Sequence, residues 1–131
     1  MESIESQASE FDSNMMAQAV NGRLTLERRQ DGDRLLIDWN KYGSHAEHQQ
    51  ASPRIVDIGG IVLRRRHEWR SRNGVQSYTH EMFVDLTFTF KERVLFPTLL
   101  FRGESILAAL RLLNTMLRSM GSQRLDPLVD E

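Results

Sequence analysis

The chain has 131 residues, 40% of them hydrophobic and 27% charged, with a formal net charge of −1 and no cysteine. Such a length and composition fit one globular domain around one core. Near-neutral charge sets up no general attraction to nucleic acid or anionic membrane, and the lack of cysteine excludes disulfides, thiolate nucleophiles and cysteine-ligated zinc. No apolar run approaches the roughly 18 residues a membrane span needs. The opening MESIESQASE has neither the basic nor the apolar region of a secretory leader. A cytoplasmic protein with no membrane partner is therefore expected.

Residues 1–20 carry Glu2, Glu5, Glu10 and Asp12 without a basic residue before position 14. Phe11, Met15, Met16 and Ala19 could share one stripe of a short helix, but Ser, Gln and Glu dominate, so a flexible acidic arm is expected over 1–20. Residues 21–121 are expected to form a single α+β domain, and 122–131, with Asp126, Asp130 and Glu131, an acidic tail.

Leu24 and Leu26 alternate with polar residues and read as a strand. Asp31-Gly32 signals a tight turn, and Leu35, Ile37 and Trp39 continue on the return; that turn sets Leu26 opposite Ile37 and Leu24 opposite Trp39. Residues 40–53 are polar and form the longest internal loop. Asn73-Gly74 is the strongest turn signal in the chain, since a type I′ turn needs positive φ at both central residues. It pairs Arg72 with Val75, Trp69 with Tyr78, His67 with His80, Arg65 with Met82, Leu63 with Val84 and Ile61 with Leu86. Gly59-Gly60 marks a bulge in the first strand. After a turn at 91–93 comes a fifth strand over 94–101, kept at an edge or made irregular by Pro97, and ended by Gly103.

From Glu104 to Met120, Ile106, Ala109, Leu110, Leu113, Leu117 and Met120 recur at helical spacing, with Arg111, Thr115 and Arg118 opposite and Gly121 as the cap. The expected fold is thus α+β: an antiparallel meander of about five strands, two hairpins plus an edge strand, under one C-terminal helix.

The sharpest constellation is His67, His80, Trp69, Tyr78 and Arg65 on one face of the long hairpin. Both cross-strand pairs occupy non-hydrogen-bonded positions, where side chains approach most closely. Two imidazoles there can share a metal, relay a proton or grip an anion. They fall two ligands short of the usual zinc complement, and the competing reading is a polar pair beside an aromatic pair that stabilises the hairpin. His45-Ala46-Glu47-His48 would gather a metal only if the loop held a short helix, and it matches no metal motif. No cofactor or metal is assigned.

Arg64, Arg66, Arg70 and Arg72 share the other face, with Arg65 on the aromatic side. Four arginines suit phosphates and Trp69 and Tyr78 suit bases, but they point in opposite directions, and Arg66 stands opposite Glu81. No phosphate loop, nucleophile elbow or metalloprotease motif is present, so no catalytic residue is assigned. The expectation is a non-enzymatic protein-binding module, of the kind of a bacterial or phage inhibitor or immunity protein, that occludes a toxin, nuclease or defence component. Its contacts would be Arg64, Arg66, His67, Trp69, Arg70, Arg72, Tyr78 and His80. The alternative is nucleic-acid binding through the arginine face; self-association as a homodimer is a further option.

Overall fold

Alternation of apolar and polar residues makes most of this chain extended, and its turns decide which segments pair. In the computed structural model, residues 14–41, 48–90 and 93–120 are described. The strands are β1 (Asn14–Ala19), β2 (Gly22–Glu27), β3 (Arg34–Trp39), β4 (Gln49–Ala51), β5 (Ile58–Arg72), β6 (Val75–Phe90), β7 (Arg93–Leu95) and β8 (Thr98–Arg102). A 3₁₀ turn over Ile55–Asp57 precedes β5, and helix α1 (Glu104–Ser119) follows β8. The fold is an α+β antiparallel meander with a C-terminal helix, as expected. Among the described residues the eight strands lie in two sheets, one in the order β1-β2-β3-β4, the other with β5 on one edge of β6 and β7 and β8 on the other.

Three expectations are corrected. Residues 14–19, expected in a flexible or helical arm, form β1, which pairs Met15 with Leu26 and Ala17 with Leu24 and buries Ala17 and Ala19. The β2–β3 register is Leu24 with Ile37 and Leu26 with Leu35, two residues from the expected one. The cause is the turn. Arg29 C=O accepts from Gly32 N–H at 3.2 Å, so Gln30 and Asp31 are its centre and Gly32 is its fourth residue. A slip of two preserves side-chain parity, so the apolar face is unchanged. Part of the expected 40–53 loop is β4. The remainder of the acidic arm, the acidic tail, Gly121 and the turn at 91–92 lie outside the described residues.

The long hairpin has the expected register throughout, from Arg72 with Val75 to Ile61 with Leu86, and the bulge falls at Ile58/Gly60. Asn73 and Gly74 have φ of 52° and 79°, as a type I′ turn requires. Pro97 breaks the following strand into β7 and β8. Lacking an N–H it cannot donate, while its carbonyl accepts from Leu86 N–H at 2.9 Å.

Helix α1 lies against β1 and β2 of the first sheet and β8 of the second. Beyond the expected Ile106, Ala109, Leu110, Leu113 and Leu117, it buries Leu112 and Met116. An element wedged between two sheets needs a wider apolar arc than one lying on a single sheet. Met82, Val84, Leu86 and Phe88 of β6 face this core.

Buried Asn21, in the β1–β2 turn, ties the sheets together. Its Nδ2 donates to the carbonyls of Asn40 and Thr98, the latter at 2.9 Å, and its Oδ1 accepts from Leu100 N–H at 3.0 Å. Val20 N–H adds a bond to Leu100 C=O at 2.7 Å.

Candidate interaction arm

Strand β8 pairs with β6 only over residues 81–85. Between Glu81 and the Asn73-Gly74 turn the second sheet therefore narrows to two strands, β5 and β6, which run roughly 20 Å past the body at about 3.3 Å per residue. An isolated two-stranded ribbon is marginal in water. Here the ribbon continues a four-stranded sheet, closes in a favoured turn and carries contacts on both faces.

On the face that leads into the core, four rings form a ladder. Trp69 and Tyr78 have centroids 4.8 Å apart, Tyr78 and His67 5.9 Å, and His67 and His80 stack at 4.1 Å with planes 20° apart. The Tyr78 hydroxyl also bonds His67 Nδ1. Ring pairs of this kind stabilise by about 0.5–1.5 kcal/mol each. The histidine stack turns ring faces, not nitrogen lone pairs, toward each other, which is the geometry of packing more than of chelation. At the base, His80 C=O accepts from Gly103 N–H at 3.4 Å, beside the start of α1.

The opposite face is a set of ion pairs. Arg64 Nε donates to Asp85 at 2.9 Å, Arg66 to Glu81 at 2.6 Å, Arg70 to Glu68 at 3.0 Å, and Arg102 of β8 to Glu81 at 2.6 Å. Arg64 also lies over the Phe83 ring, 5.0 Å from its centroid. Glu81 is buried and held by arginines from both neighbouring strands. The Arg102 bond, and then the Arg66 bond, keep its carboxyl below the usual glutamate range against the opposing effect of burial. The exposed Glu68–Arg70 pair lowers the Glu68 pKa through the same kind of bond.

A pH dependence follows. A carboxylate whose folded pKa is depressed contributes stability that is fully present above its unfolded value, about 4.3, and is lost as pH falls through the folded value. Thermal unfolding should show Glu81→Gln less stable than wild type at pH 7, with the gap closing below about pH 4. An equal gap at pH 7 and pH 3 would remove the ion pairs as its cause.

All eight sequence-predicted contact residues fall on this arm or its root. His67, Trp69, Tyr78 and His80 come together, while Arg64, Arg66, Arg70 and Arg72 occupy the other face, and the two sets do not meet. Sequence reasoning missed Arg102 and Asp85 as partners and Phe83 as a ring under Arg64; only the Arg102 contact needed the β6–β8 register, since the hairpin register already sets Arg64 opposite Phe83 and diagonal to Asp85. In the long loop, His45 and Glu47 lie outside the described residues, and His48 Nδ1 bonds Asp38 at 2.6 Å. Among the described residues there is no helix long and apolar enough to cross a membrane. Compared with protein-family models, curated proteins and solved structures, the chain matches none.

Proposed function

We propose that this chain is a non-enzymatic protein-binding module of the inhibitor or immunity type, acting in the cytoplasm and occluding a partner protein with its hairpin arm. The observation that carries the reading is the exposed end of the ring ladder. Trp69 is 70% and Tyr78 47% exposed on a ribbon that has outrun its own core. The ring pairs support the ribbon yet leave most of Trp69 and nearly half of Tyr78 in water, and Trp, Tyr and Arg are the residue types that dominate protein interfaces. Between residues 65 and 81 four arginines stand against two glutamates, a surplus of two positive charges, so the partner's face is acidic.

Nucleic-acid binding is the weaker reading. Arg64, Arg66 and Arg70 each hold a carboxylate and lie on the face away from the rings. Phosphate contact also needs free cations, and stacking would need them beside the aromatics.

The test is affinity capture from the native host's lysate, after nuclease treatment, with the wild-type chain and with Trp69→Ala and Arg70→Ala. Wild type should retain a discrete protein that both variants lose by at least about tenfold, the effect of a hot-spot residue of more than 1.4 kcal/mol. Retention of the same proteins by all three, or binding that disappears with the nuclease, would contradict it.

A further inference from the structure

The outer face of the second sheet, below the arm, carries a patch that neither the core nor the arm uses. Val62 of β5 is 56% exposed, Val94 of β7 50%, and Phe96 69%. Phe96 faces outward by strand alternation, two residues from Val94, while Leu95 between them packs on the core. Phe96 stands at the rim of a cleft of about 350 Å³ between the two sheets, lined also by Trp39, Lys41, Gln49, Phe83 and Leu100. In the middle of the patch the exposed Arg64 and half-exposed Asp85 hold each other at 2.9 Å.

We propose that this face binds a second copy of the chain in a two-fold pair, with Phe96 of each copy entering the cleft beside Phe83 and Trp39 of the other copy. Exposed aliphatic and aromatic side chains gathered in one patch mark an interface, and here they flank a single ion pair. The charges choose the occupant. A surface bearing one cation and one anion becomes its own complement when turned by a two-fold axis, so Arg64 of each copy meets Asp85 of the other. The chain as a whole is near neutral at −1, so two copies approach without bulk repulsion. The arm, with its positive surplus, lacks that self-complementarity. The pairing covers Arg64 at the root of the arm and leaves the arm from Arg65 to the Asn73-Gly74 turn free.

Sedimentation of the full chain from about 1 to 100 µM, the range of a modest dimer, tests this. Wild type should reach twice the 15.2 kDa chain mass. Phe96→Glu and Val62→Glu should sediment as single chains, with association at least tenfold weaker, while keeping the wild-type circular dichroism. Trp69→Ala should remain paired. Wild type at the single-chain mass throughout would overturn the proposal, leaving the face to some other partner or to solvent. So would pairing that survives Phe96→Glu and Val62→Glu, or pairing lost with Trp69→Ala. If one glutamate variant does not fold, the other decides.

Discussion

Gly22→Ala should bring the folded state close to collapse. A Cβ built at Gly22 lies 1.9 Å from the Asp38 carbonyl oxygen and 2.8 Å from Trp39 Cα. Both are backbone atoms of the neighbouring strand, so no side chain can swing aside to make room. Gly22 has no positive φ, and the expected loss comes from the close approach of β2 and β3, not from backbone conformation. Relief requires parting the strands where Gly22 pairs with Trp39 and where Asn40 N–H bonds Asn21 C=O at 2.9 Å. We expect at least about 4 kcal/mol, the exceptional end of single substitutions and a large share of a typical domain's 5–15 kcal/mol. At this size that lowers Tm by roughly 12 °C or more. Gly60→Ala is the control, because a Cβ there meets nothing within 4 Å; it should change stability by less than about 0.5 kcal/mol. Similar urea midpoints for the two variants would show that β2 and β3 do not approach so closely.

Asn21→Asp is expected to be nearly as damaging, and in a pH-dependent way. The side chain is buried, and its amide donates to two carbonyls while its oxygen accepts one N–H. Aspartate keeps the acceptor but turns the donor into a second oxygen facing the carbonyls of Asn40 and Thr98. Leaving a buried charge without a partner costs about 3–5 kcal/mol, and the group responds by holding its proton. A carboxyl whose folded pKa is raised above its unfolded value binds more protons when folded, so its penalty grows as pH rises. The variant should therefore be more stable at pH 4.5 than at pH 7, relative to wild type at each pH. A loss that is constant between those values would mean the site is wet and the two sheets are not joined through it.

How much of this fold was legible depends on how local its causes are. The β5–β6 hairpin was readable pair by pair because Asn73-Gly74 permits one turn type and the flanking alternation leaves one register. The β2–β3 hairpin was readable in face but not in register, since Asp31-Gly32 can serve as a turn centre or, as here, as its second half. Strand β1 was missed because its core residues are two alanines, which contribute little hydrophobic signal. The clues present were the alternation of Met15, Ala17 and Ala19 and the Asn21-Gly22 pair that follows. The joint between the sheets was beyond any local pattern: Asn21 and Leu100 are 79 residues apart.

The candidate site divides in the same manner. Hairpin geometry alone assembles the ring ladder and sets Arg66 opposite Glu81, so both were visible. The second arginine on Glu81 comes from β8, which shares one register with β7 against β6; that register starts with Phe90 opposite Arg93, one residue tighter than the expected turn at 91–93. The apolar patch around Phe96 rests on the same register, in which Val94 and Phe96 alternate with core-facing Leu95 and look outward.

The central claim is that the projecting ring face is where this chain meets another protein. It is most directly tested by placing a photoreactive amino acid at position 69 and, separately, at position 56, where Val56 is exposed on the body, and irradiating each in native lysate. Position 69 should yield a discrete protein adduct that position 56 does not. The same adducts from both positions, or none from position 69, would contradict the account.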